Sequence, residues 1–253
     1  MFGICNLSII PLRTEPSDRS EIVSQVLFGE HFEILELDKQ WAKIKLHFDE
    51  YEGWVDSKQY QIITADNYEI LGKEASILNY DLVEYISDAN NVLIPITLGA
   101  SLSFLNHNDI NVKNYAFEGL KISGIKPKMN LVATAYMYLN SPYLWGGKTP
   151  FGIDCSGFTQ MVYKLNGYAL LRDASQQCNQ GEVLSFIEES EPGDLAFFDN
   201  EEGTIIHVGI ILDNNYIIHA SGKVRIDRLD HLGIYNAELN RHTHRLRVIK
   251  KII

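Results

Sequence analysis

The sequence is poor in cysteine and has no long apolar run. Its 253 residues contain three cysteines, an odd number that does not form the disulfide framework of a small secreted domain. Nowhere do about 18 apolar residues follow one another, the length that a membrane-spanning helix needs. We therefore expect a protein of a reducing compartment that does not cross a membrane.

Basic residues are scarce as well. The chain has 22 Lys and Arg against 33 Asp and Glu, a formal net charge of −11 at pH 7. A field of that sign disfavours nucleic acid and anionic membranes as partners. The amino-terminal apolar run follows no Lys or Arg and is interrupted by Asn6 and Ser8. No signal peptide is visible, and we expect a cytoplasmic location.

What is present is a globular composition, 45% apolar and 22% charged, in a chain long enough for several small domains. Within residues 1–60, short β-rich runs alternate with turn residues; the runs are 7–12, 22–28, 32–37, 41–46 and 53–55. In the fourth run, positions 42, 44 and 46 are apolar, the period of a half-buried strand. The spacing predicts a small β-barrel over residues 1–60.

Two further segments follow. Residues 61–122 are predicted to form a second small β-rich domain, with strands at 92–96 and 102–105. Gly and Pro residues in 123–128 interrupt the periodicity and indicate a boundary. Residues 128–253 form the third domain.

The third domain has an α+β pattern. Apolar spacing predicts helices at 129–140 and 155–166. After them the pattern predicts only strands, at 194–198, 204–212 and 216–220.

Cys155 begins the second of these helices, with Asp154 as the expected N-cap. Unpaired N–H groups and the positive end of the helix dipole favour a thiolate there, which is what a nucleophile requires. The alternative is structural, because a lone cysteine at a helix start is more often a small buried hydrophobe.

His207 and His219 lie in otherwise apolar strands, where an unpaired imidazole is costly. A three-residue loop at 213–215 would pair Gly209 with His219 and put both histidines on the same face of the sheet. A two-residue loop would put them on opposite faces. The register is therefore a specific prediction.

Cys155 and the two histidines together predict a nucleophile and its base. His207 would take the thiol proton and return it to the leaving amine, while His219 would fix the tautomer. Each histidine alone is equally consistent with a satisfied core residue. Zinc is a weaker alternative, since the chain lacks Cys-x-x-Cys and His-Glu-x-x-His spacing, and we predict no metal or cofactor. His242 and His244 fit a solvated strand face better than a ligand pair.

Five ordered motifs carry a family resemblance. They are Tyr143-Leu-Trp-Gly-Gly147, Asp154-Cys-Ser-Gly-Phe158, Glu191-Pro-Gly-Asp-Leu195, His207-Val-Gly-Ile210 and His219-Ala220. The set resembles the NlpC/P60 cysteine peptidases of bacteria. The resemblance implies a minimal papain-like fold, a helix packed on an antiparallel sheet, that cleaves murein peptides between γ-D-glutamate and a diamino acid. It makes Cys155 the nucleophile, His207 the base and His219 the third member.

The segment 1–60 resembles a bacterial SH3-like (SH3b) domain, through Leu12-Arg-Thr-Glu-Pro-Ser17, Leu27-Phe-Gly-Glu30, Trp41-Ala-Lys-Ile44 and Gly53-Trp-Val55. Residues 61–122 are expected to form a second SH3-like domain. SH3-like domains before such a catalytic domain are similar to those of the γ-D-glutamyl-L-diamino acid endopeptidases, the dipeptidyl-peptidase VI group. That resemblance implies a closed pocket for a free amino-terminal L-Ala. The Glu15 carboxylate would pair with the ammonium group of that L-Ala, and the Tyr51 hydroxyl would form a hydrogen bond beside it. The alternative for Glu15 is a solvated acid in a turn.

The same group implies further substrate-binding residues: Tyr143, Trp145, Asp154, Ser156, Asp173 and Ser175. Tyr143 would donate to the oxyanion beside the backbone N–H of Cys155. Tyr143 and Trp145 are otherwise ordinary core aromatics. The group often has Ser directly after the aspartate, where this chain has Ala174, so Ser175 is offset by one position.

The expected function is hydrolysis of free murein tripeptides or tetrapeptides, with release of L-Ala-γ-D-Glu for recycling. One alternative is a wall-binding protein or autolysin that acts on intact peptidoglycan through its SH3-like domains. Another is an acyltransferase on the related scaffold, because both chemistries pass through a thioester. The sequence leaves open the diamino acid, meso-diaminopimelate or L-Lys, and the oligomeric state.

Overall fold

The computed structural model describes residues 1–73, 75–106 and 115–253. Contacts divide the chain into two compact units, Met1–Ile125 and Lys126–Ile253. The division falls inside 123–128, where the sequence predicts a boundary. No helix in the described ranges is long and apolar enough to cross a membrane.

The first unit begins with a seven-stranded antiparallel sheet. Its strands are β1 (Phe2–Ile4), β2 (Ile9–Arg13), β3 (Ile22–Leu27), β4 (His31–Asp38), β5 (Trp41–Leu46), β6 (Glu52–Asp56) and β7 (Gln61–Ile63), in the spatial order β3-β2-β6-β5-β4-β1-β7. The five β-rich runs of the sequence correspond to β2 to β6. Alternation in β5 buries Ala42, Ile44 and Leu46, as its period of two predicts.

The remainder of the first unit contains a helix and two small sheets. Its elements are α1 (Ala65–Lys73), β8 (Ile77–Asn79), β9 (Val83–Asp88), β10 (Leu93–Thr97), β11 (Tyr115–Ala116) and β12 (Lys121–Ser123). The sheets have the orders β10-β9-β11 and β12-β8. Ile86 and Ile96 share a hydrophobic core with Ile4 of β1 and with Phe28, which directly follows β3.

Residues 61–122 differ from the sequence prediction in three places. Residues 61–63 are the edge strand β7 of the first sheet, and residues 65–73 are helical. The predicted strand at 102–105 is wrong, because Ser103–Asn106 is a 3₁₀ turn. Leu102, Ser103 and Phe104 are all buried, whereas a half-buried strand would bury alternate residues; a short apolar run by itself does not distinguish the two structures. Residues 74 and 107–114 of this predicted domain lie outside the described residues.

The second unit is built on another seven-stranded antiparallel sheet. Its strands are β15 (Glu182–Leu184), β16 (Leu195–Asp199), β17 (Ile205–Leu212), β18 (Tyr216–Ser221), β19 (Lys223–Asp230), β20 (Gly233–Asn236) and β21 (Arg241–Lys251), and a short hairpin, β13 (Lys148–Thr149) with β14 (Gly152–Ile153), precedes them. The order is β15-β21-β16-β17-β18-β19-β20, and β21 also pairs with β20. The sheet therefore closes on itself.

Three helices accompany this sheet: α2 (Met129–Met137), α3 (Cys155–Leu165) and α4 (Ala174–Gln177). All eleven residues of α3 are buried, and the helix packs against β17 and β18. The expectation that only strands follow α3 is wrong, because α4 and a 3₁₀ turn at Ile187–Glu189 also form. The sequence Asp173-Ala-Ser-Gln176 starts α4 as a cap, with the Gln176 side chain accepting the Asp173 backbone N–H at 3.0 Å.

The register of β17 and β18 confirms the three-residue loop. Gly209 lies opposite His219, and Leu212 lies opposite Tyr216. Within the loop, Asn214 and Asn215 have φ of 58° and 61°, the left-handed region that Asn tolerates better than most residues. His207 and His219 therefore project from the same face.

The loop at 213–215 allows a test of whether its left-handed Asn residues stabilise the pairing of β17 with β18. Replacing Asn214 and Asn215 together with Ala should lower the free energy of unfolding by about 1–2 kcal/mol, because Ala is strained at positive φ. The matched Gly–Gly variant should keep the stability of the wild type. Urea unfolding of the three proteins measures this, and equal stability of the Ala and Gly variants would contradict the explanation.

Candidate active site

Cys155 is the first residue of α3, and the start of that helix is firmly capped. Asp154 accepts the backbone N–H of Gly157 at 2.6 Å, which confirms the predicted N-cap. The sulfur of Cys155 receives backbone N–H groups of Ser156 and of Val208 on β17. Val208 directly follows His207, so the strand that carries the predicted base also contacts the predicted nucleophile.

The charge state of Cys155 differs from the sequence prediction. Burial, followed by the negative charge of Asp154, raises the pKa of its thiol to about 12, although the N–H groups of Val208 and Ser156 act in the opposite direction. The helix start therefore does not produce a thiolate, since desolvation outweighs it. At neutral pH Cys155 is a thiol and needs a base.

Asp154 belongs to a buried ion pair that the sequence analysis missed. Its carboxylate receives the Arg172 guanidinium at 2.5 Å and 3.0 Å and the Gly146 backbone N–H at 2.8 Å. Arg172 is 1% exposed and also donates to the Ser156 hydroxyl at 3.0 Å. Asp154 and Ser156, predicted to bind substrate, thus hold the turn before α3 in place. A buried carboxylate such as that of Asp154 is stabilised by a cation. That need was the feature of the sequence that could have pointed to Arg172.

His207 and His219 meet as predicted. Nε2 of His207 lies 2.8 Å from Nδ1 of His219, and the two side chains are 5% and 1% exposed. Burial and the neighbouring imidazoles of His219 and His244 hold the pKa of His207 well below its usual range. His207 is therefore a neutral imidazole, able to accept a proton.

The chain of hydrogen bonds continues to a residue that the sequence analysis did not identify. Nε2 of His219 lies 3.0 Å from Oδ2 of Asp227. In turn, Asp227 receives Nε and Nη2 of Arg225 at 2.6 Å and 3.0 Å. Because His219 pairs with Arg225 across β18 and β19, Asp227 lies two positions along on the same face. The polar–apolar–polar alternation of Arg225, Ile226 and Asp227 was the feature of the sequence that could have placed Asp227 on the face of the histidines.

His244 corrects the assignment of 242–244 to a solvated strand face. Its ring stacks on His207 at 4.1 Å between centroids and 25° between planes. Burial and the adjacent His219 lower the pKa of His244 to about 4. His242 is exposed, as expected, and its Nε2 lies 2.9 Å from Oδ2 of Asp230.

The three histidines also form the one group of possible metal ligands found among the described residues, with ligand atoms within 4.8 Å of one another. Two nitrogens of a tetrahedral zinc site stand about 3.3 Å apart, given Zn–N bonds of about 2.0–2.1 Å. Nε2 of His207 and Nδ1 of His219 aim at each other at 2.8 Å. That geometry is a hydrogen bond rather than a shared metal.

Two predicted substrate residues lie close to the nucleophile in sequence. Burial, with added charge from Cys155, raises the pKa of the Tyr143 hydroxyl to about 12, so it remains a hydrogen-bond donor at neutral pH. Trp145 is 61% exposed, which excludes a core role for this aromatic residue. Further along the chain, Asp173 precedes α4 and is half-buried, while Ser175 on α4 is exposed.

Glu15 and Tyr51 belong to the first unit. Glu15 is exposed in a turn, where its backbone N–H donates to Oγ of Ser20 at 2.9 Å. Tyr51 packs partly buried against the core of the first sheet. Their assignment to the substrate amine stays a prediction.

The Asp154 ion pair gives a stability prediction. Arg172→Met leaves the carboxylate of Asp154 buried without its cation, which should lower the free energy of unfolding by about 3–5 kcal/mol. The control is Glu191→Gln, which removes an exposed partner of Lys128 and should leave the unfolding midpoint unchanged. Denaturant unfolding measures both, and an unaltered midpoint in Arg172→Met would contradict the role of the pair.

The state of the thiol gives a pH prediction. Because the pKa of Cys155 is raised to about 12, its thiolate should form only at alkaline pH and disappear as the pH falls. The ultraviolet absorbance of the thiolate, taken as wild type minus Cys155→Ala, should therefore be absent at pH 7. Wild type minus Cys178→Ala is the control. One thiolate equivalent from Cys155 at neutral pH would show instead an ion pair formed before substrate binds.

Comparison with known proteins identifies two regions of the chain. Residues 140–243 match the NlpC/P60 family, and residues 12–59 match the bacterial dipeptidyl-peptidase SH3 domain. The chain is 26% identical to gamma-D-glutamyl-L-lysine dipeptidyl-peptidase of Bacillus subtilis, over 79% of this chain and 72% of the relative. It is also 26% identical to dipeptidyl-peptidase 6 of Lysinibacillus sphaericus, over 87% of this chain and 88% of the relative.

A solved structure confirms the fold class. The crystal structure of an NlpC/P60 family protein from Bacillus cereus aligns with a TM-score of 0.82, covering 100% of this chain and 99% of the other at 18% identity. The predicted papain-like arrangement, a nucleophile helix packed on an antiparallel sheet, is therefore present, as is the predicted SH3-like domain. The chain carries an NlpC/P60 cysteine-peptidase domain over residues 140–243 and, ahead of it, a bacterial dipeptidyl-peptidase SH3 domain over residues 12–59.

Proposed function

We propose that this peptidase hydrolyses the bond between γ-D-glutamate and the diamino acid in free murein peptides with an amino-terminal L-Ala. The product would be L-Ala-γ-D-Glu, and the role would be recycling of peptidoglycan peptides in the cytoplasm. The observation that carries the proposal is that the Cys155 sulfur, at the start of α3, accepts the backbone N–H of Val208, the residue that follows His207, whose ring is hydrogen-bonded to His219. The names of the curated relatives support the substrate class.

The neutral pair of thiol and imidazole defines the first chemical step. His207 takes the proton of Cys155 as the sulfur attacks the scissile carbonyl, so charge develops only during the reaction. This avoids a permanent ion pair in a site where both groups are almost fully buried. Base catalysis of this kind accelerates a reaction by about 10²- to 10⁴-fold.

The oxyanion of the tetrahedral intermediate needs hydrogen-bond donors. The backbone N–H of Cys155 points from the start of α3, where the first N–H groups of a helix lack intrahelical partners. The Tyr143 hydroxyl remains protonated because its pKa is raised to about 12. Both serve as donors to the developing charge.

Collapse of the intermediate completes acyl transfer. His207, now protonated, gives its proton to the leaving amine of the diamino acid, and a thioester of L-Ala-γ-D-Glu remains on Cys155. His207 then takes a proton from water, which attacks the thioester carbonyl, and returns that proton to the departing sulfur as the C–S bond breaks and the dipeptide acid is released. The free thiol is restored.

Substrate selection is assigned to acidic and aromatic side chains. In the proposal, Glu15 pairs with the ammonium of L-Ala and Tyr51 hydrogen-bonds beside it, since a charge-assisted bond favours a free amine over an acetylated one. The exposed ring of Trp145 offers an apolar contact to the peptide. Asp173 and Ser175 are assigned as weaker polar contacts.

Product analysis tests the proposal. Wild type, Cys155→Ala and Glu15→Gln are each incubated with L-Ala-γ-D-Glu-L-Lys and with its N-acetylated form, and the products are identified by mass spectrometry. We expect wild type to release L-Ala-γ-D-Glu from the free peptide alone and Cys155→Ala to release none. Glu15→Gln should raise KM for the free peptide at least about tenfold, the loss of one charge-assisted bond of about 1.5–3 kcal/mol. The meso-diaminopimelate peptide, run in parallel, determines the preferred diamino acid.

Other outcomes separate the alternatives. Equal cleavage of the acetylated peptide would contradict recognition of a free amine and would favour an endopeptidase of intact wall. Transfer of the dipeptide to an added amine instead of water would favour an acyltransferase. Absence of any cleavage would contradict the proposal.

A further inference from the structure

Asp227 and Arg225 lie beyond the residues that the peptidase chemistry requires, yet they end the hydrogen-bond chain that starts at His207. Asp227 is 6% exposed. Oδ2 of Asp227 faces both Nε2 of His219 at 3.0 Å and Nε of Arg225 at 2.6 Å. A second ion pair links Arg225 to Glu238 at 3.2 Å. The carboxylate is therefore fixed on both sides.

The protonation state of Asp227 follows from these contacts. Burial by itself raises the pKa of its carboxyl, but hydrogen bonds and charge from His219 and Arg225 outweigh burial and lower it. A carboxylate held by a guanidinium has no proton to donate. Asp227 can therefore only accept hydrogen bonds.

Each neutral imidazole carries one N–H group. Because Asp227 can only accept a hydrogen bond, it determines which ring nitrogen of His219, and then of His207, carries the hydrogen. His219 must place its hydrogen on Nε2, which leaves Nδ1 as an acceptor. Nδ1 of His219 in turn accepts from Nε2 of His207 at 2.8 Å. His207 then has its lone pair on Nδ1, the nitrogen that can take a proton.

We infer that Asp227, held by Arg225, is a positioning residue that fixes the tautomer of His219 and, through it, leaves Nδ1 of His207 as the base for Cys155. His219 is thus a hydrogen-bond relay between the carboxylate of Asp227 and the imidazole of His207. The inference rests on the proposed peptidase function for its kinetic consequence. Its structural consequence, the position of two protons, does not depend on any substrate.

Asp227→Asn is the near-isosteric test. Oδ2 of Asp227 accepts from both His219 and Nε of Arg225, and Oδ1 accepts from Nη2 of Arg225. An amide has one oxygen and one NH₂ group and cannot accept all three bonds, so its NH₂ group competes for the Oδ2 position, where it donates to Nε2 of His219. The proton of His219 then moves to Nδ1, and that of His207 moves to its own Nδ1, which blocks the base. We expect kcat to fall about 10²-fold, the contribution of a positioned base, with KM changed less than about twofold.

The matched control is Asp230→Asn. Asp230 lies on the same strand, β19, and its carboxylate also faces a histidine, His242, at 2.9 Å. That pair is exposed and does not contact His207 or His219. This variant should keep the kcat of wild type.

Nitrogen-15 NMR of labelled histidines reads the tautomers directly, with assignments from single substitutions at His207 and His219. Wild type should show both residues protonated at Nε2, and Asp227→Asn should move a substantial fraction of His219 to the Nδ1–H form. Circular dichroism establishes whether the variant folds. If Asp227→Asn does not fold, the wild-type spectrum still decides the inference.

The outcomes are separable from those of the proposed function. His219 protonated at Nδ1 in wild type would overturn the inference, as would an Asp227→Asn enzyme with unchanged kcat and unchanged tautomers. A fall in kcat with wild-type tautomers would reduce Asp227 to a structural residue and also contradict the inference. Wild type that cleaves no γ-D-glutamyl peptide would contradict the proposed function alone, because the spectrum needs no substrate.

Discussion

The antiparallel pairing of β17, β18 and β19 is the constraint on which the site depends. Each strand contributes one polar side chain to a single row, His207, His219 and Asp227, because residues two apart share a face of a sheet. The observed register places Gly209 opposite His219 and His219 opposite Arg225. A slip of one residue in either strand pair would turn its two members of the row to opposite faces and break the hydrogen bond between them.

Two buried acids, each held by an arginine, perform parallel tasks around this row. Asp154 with Arg172 fixes the start of α3 and so the nucleophile, whereas Asp227 with Arg225 fixes the base through His219. Between them, burial keeps Cys155 and His207 uncharged. Around the site, the permanent charges of Asp154 and Asp227 are thus paired with arginines, while charge develops at Cys155 and His207 only when substrate is attacked.

Local sequence patterns predicted much of the fold and of the candidate site. The features that they missed depend on long-range packing. Alternating apolar residues predicted β2 to β6, and the loop at 213–215 predicted the correct register because both depend on neighbouring residues. The 3₁₀ turn at Ser103–Asn106 was taken for a strand because a short apolar run is compatible with either structure. Arg172, Asp227 and His244 were missed since their roles arise from contacts across the sheet or between distant segments. The thiolate prediction failed for the same reason, as burial is set by the whole fold.

The central claim is that Cys155 attacks the substrate with His207 as its base. Its most direct measurement is labelling by a chloromethyl ketone built on L-Ala-γ-D-Glu, with the modified residue located by mass spectrometry in wild type and His207→Ala. The account predicts alkylation of Cys155 in wild type and a rate about 10²-fold lower in His207→Ala. Labelling of Cys155 at the same rate in both proteins, or preferential labelling of Cys178, would contradict it.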